Sequence, residues 1–561
     1  MAEEYGSTLQ TQSSRASGGR RAEVALLAGL RDAASTGESL LQFAQTHGVP
    51  EATMRYWVSR AQQCGAPASF VRFVESPEGL EVLHRIVVAA TFVLTQEVGG
   101  GVRAVCSFLE RSGLWRVVAA GYGTQQEAVK AMEEVIVGFG AEQRAELAST
   151  MSPRDITVTQ DETFHDEPCL VAIEPVSNFI LVEQYASDRQ AETWKAVMNK
   201  ALSGLPVTVI QSTSDEGSSL LSAARDSGAH HSPDLFHPLQ DISRATSLPL
   251  QRKVEAAERA ASEAAQRLNA MLDEAEAYDS APHGPGRPRD YEGRLTQADE
   301  ALKSAEAAVK QARERREKVR EAARGISLAY HPFDLRSGAP RDATQVEREL
   351  KVQFQRIDEL TAEVGLSPRC RSHFEKARRL LPQMAGTIAF VHSSIERKIE
   401  TLDLSPEVKD VMRRQLIPAS YLEEIERKQP TAEAKAAVRT AFAELKAAVE
   451  APNTPLSGLS PDAREQVQRA ARECARIFQR SSSNVEGRNG VLSLRHHSIH
   501  ELNERKLQAL TVVHNYAIRR ADGTTPAARF FGRQHRDLFE ELLVKLPLPR
   551  RPAARRAVML H

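Results

Sequence analysis

The spacing of apolar residues changes twice along the chain, and the changes divide it. From Ala22 to about Leu147 they recur at helical spacing with short glycine-containing breaks, which predicts an all-helical region. After Met151–Pro153 short β-branched runs take over. ITVTQDETF (156–164) predicts a strand, and CLVAIEP with NFILVEQYA (169–186) a hairpin closed by a Pro-Val-Ser-Asn turn. DRQAETWKAVMNKAL (188–202) is an amphipathic helix behind an acidic cap, LPVTVIQSTSD (205–215) a further strand and EGSSLLSAARDS (216–227) a further helix. Strand, hairpin, helix, strand, helix is a mixed α/β order in which the crossover helix makes a parallel pair. DLFHPL (234–239) is the candidate fifth strand.

Then the β pattern stops. Val254, Ala257, Ala261, Ala264, Leu268, Met271 and Ala275 step by threes and fours, as do Leu295, Ala298, Leu302, Ala305, Val309 and Ala312. Between them SAPHGPGRPR (280–289) holds three prolines, which no helix crosses. The pattern predicts an antiparallel coiled-coil hairpin over 250–325, in a helical stretch that continues to about 460. Its heptads also allow a homodimer. A helix over 462–479 runs into SSSNVEGRNG, a helical region follows over 500–520, and a basic tail closes the chain. The expected fold class is α+β and multidomain. Its parts are a disordered tail (1–21), a helical DNA-binding region (22–150), an α/β core in two pieces (151–245 and 461–540), an all-α insertion between them (246–460) and the basic tail (541–561).

Within the N-terminal region Leu40, Leu41, Phe43 and Ala44 lie on one short helix, THGVP makes a turn, and EATMRYWVSRAQQ forms a second helix. That is the shape of a helix-turn-helix, whose second helix enters the DNA major groove. Thr53, Arg55 and Arg60 are its candidate DNA-facing side chains, while Met54, Trp57 and Val58 pack inward. VRAVCSFLE (102–110) followed by WRVVAAGYGT is a second candidate pair. The bland alternative for either is a helical pair without DNA contacts.

Composition narrows the classes. The 561 residues are 41% hydrophobic and 26% charged, and Lys+Arg 73 against Asp+Glu 74 leaves a formal charge of −1. No global field draws the chain onto nucleic acid, so any such binding comes from local basic surface. Five dispersed cysteines without a CxxC pair argue against a disulfide framework or zinc ribbon and fit a reducing cytoplasm. No apolar run approaches the ~20 residues of a spanning helix, and the polar N-terminus is not a secretory signal. Locally the balance shifts. From Arg488 to Arg536 the basic positions are 488, 495, 505, 506, 519, 520, 529, 533 and 536, against acids at 501, 504 and 522. Such one-sided charge suits phosphate contacts.

Three acids stand out by position: Asp161 near the end of the first strand, Asp215 at the end of the fourth, and Glu486 after the helix-to-loop break. An acid at a strand end is ordinarily a cap or turn residue. Carboxylates brought together, however, need a cation to offset their repulsion, and two hard divalent ions about 3.5–4 Å apart can drive phosphodiester chemistry. Glu162 and Glu216 are immediate rivals, Asp155 and Asp166 more distant ones. His237 lies near the site if DLFHPL is a strand. Arg488 and Asn489 follow Glu486 and are candidate DNA contacts, since an Arg fork matches a scissile phosphate; an ordinary helix-start contact is the alternative.

Together QDETFH, VTVIQSTSD, DLFHPLQD, the helical insertion and the late NVEGRNG resemble a DDE transposase with an RNase H-like catalytic domain. The large insertion between second Asp and Glu is similar in layout to the hAT superfamily and to bacterial insertion-sequence families. The resemblance covers about 150–245 and 460–535. It implies an RNase H-like core, two Mg²⁺ (or Mn²⁺) ions held by Asp161, Asp215 and Glu486, and strand cleavage followed by strand transfer. Double-stranded DNA is the implied partner, in a bacterial, nucleoid-associated cytoplasmic setting. The alternatives are a non-enzymatic DNA-binding scaffold descended from a transposase and a nuclease of the same fold.

Overall fold

The computed structural model describes residues 3–62, 65–165, 167–282, 284, 286, 289–499 and 502–552, without the side chains of 3–18, 61 and 62. The fold is mixed α+β. Most of the chain is helical, and one five-stranded mixed sheet has the order β3-β2-β1-β4-β5. Its strands are β1 (Arg154–Phe164), β2 (Pro168–Glu174), β3 (Phe179–Tyr185), β4 (Val207–Ser214) and β5 (His230–Pro233). The predicted fifth strand is corrected: HHSP, not DLFHPL, pairs with β4. Asp234 accepts from the backbone N–H of Phe236 at 2.9 Å and so starts a helix where a strand was expected.

The chain groups into two units, one of residues 1–154, 161–208 and 484–561, the other of 155–160 and 209–483. The boundary therefore runs along β1 itself. β4 and β5 group with the helices that follow them.

In the first unit the helices Glu3–Ser35, Leu40–Thr46 and Glu51–Gln62 close around Leu30, Phe43, Ala44 and Met54, with Trp57 and Val58 packed against them. Ser39 and Gln42 form a capping box, and Gly48 turns the chain at φ 64 between the second and third helices. Of the tail expected over 1–21, residues 1 and 2 lie outside the described residues, and Glu3 to Arg21 form the start of the first helix. The second helix-turn-helix candidate is corrected. Val102–Arg111 is a helix, but only the short turn Leu114–Arg116 follows, because Val117 and Val118 are drawn into the core beside Val105 and Leu109.

β2 and β3 pair antiparallel from Cys169↔Tyr185 to Glu174↔Phe179, and the turn holds Asn178 at φ 65. Two helices, Ser483–Ile499 and Glu504–Tyr516, cover this hairpin by packing Val485, Leu492, Leu507 and Leu510 on Cys169, Val171, Ile173 and Ile180. Asn515 seals the edge strand: its amide accepts from Ile180 N at 2.9 Å and donates to Ile180 O at 3.0 Å, as a neighbouring strand does.

In the second unit β4 and β5 run parallel, Gln211↔His230 through Ser214↔Pro233. The long helices Phe236–Asp279 and Tyr291–Ala329 form the predicted hairpin. Arg313 pairs with Glu258, Arg316 with Gln251, and the rings of Tyr278 and Tyr291 meet at a tilt near the turn, so the two helices run antiparallel. The first helix starts earlier than the heptads indicated and passes through Pro249. After the helical stretch, residues 479–482 come back to the sheet. Gln479 O accepts from Gln211 and Ser232, and Arg480 O accepts from Leu235 N at 2.9 Å. The Arg480 guanidinium is buried on the carbonyls of Ser327 and Tyr330. These bonds fix where the chain leaves for the Glu486 helix.

Candidate functional site

Asp161 and the Glu486 helix meet within the first unit. Asp161 Oδ1 accepts from Glu162 N at 2.8 Å, and its Oδ2 accepts from Asn489 Nδ2 at 2.9 Å, across 328 positions of sequence. Successive side chains of a strand face opposite sides, which separates Asp161 from its rival. Glu162 accepts from Trp194 Nε1 at 3.0 Å and from Arg189 at 3.2 Å, so it anchors the crossover helix Ala191–Leu202. Asp155 is exposed at the start of β1, and Asp166 lies outside the described residues.

Glu486 sits in the first turn of the helix Ser483–Ile499 rather than in a loop. Val485, Asn489 and Leu492 recur at helical spacing and are buried, and their packing overrides the glycines at 487 and 490 that made the segment read as a loop. Glu486 is half-buried and makes no hydrogen bond or ion pair among the described residues. Asn489 follows three positions on, so both lie on one helix face.

Arg488, expected as a phosphate contact, is turned to a carboxylate of the protein. Its Nε and Nη2 donate to the two carboxylate oxygens of Glu183 on β3 at 2.7 and 2.6 Å, with side chains 9% and 0% exposed. Thr511 Oγ1 donates to the same carboxylate at 2.6 Å. The fork that matches a phosphate is filled by a buried carboxylate.

In the second unit Asp215 follows β4 directly, and its Oδ1 accepts from Gly217 N at 3.0 Å, opening the helix Ser218–Asp226. Burial, with the Asp215 charge adding to it, raises the carboxyl of Glu216, against which the Gln383 amide lies at 3.2 Å. Asp234 was missed by sequence reasoning. It is 1% exposed, accepts from Ser482 Oγ, and has His237 Nε2 at 3.8 Å. The Pro-Asp step before LFHPL was its signal, a cap at a helix start. His237 is therefore on a helix, one turn in.

Carboxylate and amide oxygens such as those of Asp161, Glu486 and Asn489 are of the donor type that hard divalent cations take. Asn489 is 9% exposed and its Oδ1 is a buried acceptor with no partner among the described residues.

Residues 412–558 are similar to a family of unknown function (DUF6399). That span takes in the Glu486 helix and Thr511 but neither Asp161 nor Asp215. No curated protein matches the chain.

Of the candidate DNA-facing residues, Arg55 is 69% exposed and pairs with Glu51 at 2.5 Å, Thr53 is half-buried, and Arg60 donates to Tyr56 Oη at 2.9 Å. Exposed pairs of this kind are worth about 0.2–1 kcal/mol, so Arg55 is easily drawn to a phosphate. The basic C-terminal stretch is different. Arg505 and Lys506 pair with Glu133, Arg536 and Lys545 with Glu142, Arg519 with Asp537, and Arg551 with Glu75 and Glu23. The balancing acids come mainly from upstream helices, which a local charge count omits. The positive surface expected there is largely neutralised in the fold; residues 553–561 of the tail lie outside the described residues.

Two imidazoles give a pH dependence. Burial pushes His514 down to about 4, with Arg488 adding to it, and burial with His230 pushes His231 to about 4. Both are neutral when folded, whereas the unfolded chain protonates them near 6.5. Their stability is therefore complete above pH 6.5 and declines as pH falls towards 4, by up to about 1.4 kcal/mol per pH unit per histidine. Urea unfolding at pH 7 and pH 5 is expected to show the loss. Equal midpoints at the two values exclude it.

Proposed function

We propose that this chain is a metal-dependent DNA strand-cleaving and strand-transferring protein of the DDE transposase type, built on an RNase H-like core. Asp161, Asp215 and Glu486 are its cation-binding acids. The observation that carries the reading is the Asn489–Asp161 hydrogen bond, which fastens the helix bearing Glu486 to the strand bearing Asp161 despite the long helical excursion between them. The sheet supports it as well: an antiparallel hairpin on one side of β1 and a helix-linked parallel pair on the other is the layout that an RNase H-like core calls for. When bound, Mg²⁺ or Mn²⁺ activates the attacking water or 3′-hydroxyl and stabilises the leaving oxygen. Asn489 keeps the Asp161 carboxylate oriented, and the Arg488–Glu183 pair holds the helix that carries Glu486. Arg488 is left out of the DNA-contacting set.

The test is incubation of the protein with Mg²⁺ and duplex DNA carrying the sequences that flank its gene. Nicked and joined products are expected from the wild type and from the exposed control Asp155→Asn, and neither from Asp161→Asn, Asp215→Asn or Glu486→Gln. Products that persist in all three acid variants sink the assignment.

DNA recognition is assigned to the helix Glu51–Gln62. Arg55→Ala is expected to weaken binding uniformly across sequences and to lower the slope of log affinity against log salt by about 1. An unchanged slope, measured by fluorescence anisotropy, removes Arg55 from the interface.

A further inference from the structure

We infer that the first unit holds a binding site for a small, mostly apolar molecule that carries a hydroxyl and is about the size of a benzene ring. The site lies between the helices Pro77–Phe92 and Tyr122–Ala148 and the chain segment 546–550, all within that unit. It is independent of the metal and DNA reading above.

Three elements enclose the space. Val87 and Val88 come from the first helix, Met132 from the second, Val118 from the turn before it, and Leu546 and Leu548 from the C-terminal segment, around a cavity of about 120 Å³. Pro547 and Pro549 carry no N–H, so that segment crosses the gap without joining a helix or a sheet. It is held at one end: Ala119 N donates to Arg550 O at 2.7 Å, Arg20 donates to Pro549 O, and Arg550 pairs with Glu127 at 2.9 Å on the exposed rim.

Size and lining fix most of the ligand class. Water needs only roughly 10–15 Å³ but stays where about two to four polar partners hold it, whereas an apolar void of about 150 Å³ stays dry and takes up benzene. Nucleotides and larger cofactors need pockets of about 300 Å³ or more.

The polar atoms fix the rest. Thr91, on the same wall, has its hydroxyl spent on Val87 O at 2.8 Å. Two other lining residues have an atom to spare. Gln125 donates from Nε2 to Ala119 O at 2.7 Å, which settles the amide and leaves Oε1 a buried acceptor with no partner among the described residues. His84 is 1% exposed, and its Nε2 likewise has no partner among the described residues. Burial holds that imidazole below its ordinary pKa, so at pH 7 it is neutral, and Nε2 donates or accepts according to the tautomer. Buried polar atoms in this state call for a partner. A hydroxyl donates and accepts, so it serves Oε1 and a neutral imidazole alike; a carboxylate has no proton for Oε1, and an unpaired ammonium is too costly to desolvate.

Isothermal titration calorimetry of the full chain with phenol, and with benzene as the counterpart without a hydroxyl, tests this. Both are expected to bind, phenol about fivefold or more tightly, as one net hydrogen bond allows. Ala131→Phe, which places a ring in the cavity from the helix wall, is expected to abolish both. Gln125→Met and His84→Leu, which remove the spare atoms, are expected to keep benzene binding and to lower the preference for phenol; retained benzene binding shows that the cavity is still formed. Should Ala131→Phe melt early, Val88→Phe fills the space from the facing helix. Benzene and phenol binding equally to the wild type, or a preference unmoved in both polar variants, overturns the ligand class. No binding of either molecule, or binding undiminished in the filled variants, overturns the site.

Discussion

Arg488→Ala is expected to destabilise the unit that contains it by about 3–5 kcal/mol, the effect of leaving one member of a buried ion pair without its partner. The Glu183 side chain is fully buried, so removing the guanidinium strands a carboxylate with only Thr511, among the described residues, to bond it. The same carboxylate joins β3 to both covering helices, and the damage therefore reaches the helix that carries Glu486. Urea denaturation checks this through a lower midpoint at an unchanged slope. Replacing both partners by apolar residues, Arg488→Met with Glu183→Leu, is expected to recover most of the loss, because no charge is then left buried. A midpoint unmoved in Arg488→Ala, together with weaker DNA binding, returns Arg488 to the phosphate role that its sequence neighbourhood suggested. By contrast Arg55, in an exposed pair with Glu51, is expected to shift stability by less than about 1 kcal/mol when truncated.

Arg488 also shows where sequence reading stops. Period alone gave the two hairpin helices, the β2–β3 hairpin, the crossover helix and β4, since these elements bury one face in a regular pattern. Met54, Trp57 and Val58 were legible as inward for the same reason. What period does not carry is who meets whom. Glu183 looked like one more residue of an apolar strand, and nothing local ties it to an arginine 305 positions away. The basic count over 488–536 failed likewise, because Glu133 and Glu142 sit on a helix far upstream. The segment SSSNVEGRNG misled through its glycines: local propensity favoured a loop, and the burial of Val485, Asn489 and Leu492 made a helix. Asp234 was hidden by the reverse error, a helix start taken for a strand. The link between Asp161 and the late glutamate's helix was expected from the resemblance alone, and the residue that makes it, Asn489, had been assigned to DNA.

Asp161→Asn is expected to lower Mg²⁺-dependent strand cleavage by about 10³-fold or more while leaving the urea midpoint nearly unchanged. The two halves follow from different properties of the side chain. Asparagine keeps the shape and one oxygen; turned to accept from Asn489 Nδ2 it retains the contact that fastens the helix, and only the local bond from Glu162 N is given up. What disappears is the negative charge, and with it a ligand whose cation supplies several kcal/mol of transition-state stabilisation; at about 1.4 kcal/mol per tenfold, that is three orders of magnitude or more. Glu486→Gln is expected to match it, and the double variant to fall little further, because residues that act through one ion do not contribute independently. Glu162→Gln provides the contrast on the same strand. Its carboxylate holds Trp194 and Arg189 on the opposite face, so its loss is expected to lower the midpoint before it lowers the rate. Should Asp161→Asn cleave as the wild type does while Glu162→Gln cleaves poorly, the acid that matters lies on the other face of β1, and the site assigned to Asp161, Asn489 and Glu486 is misplaced.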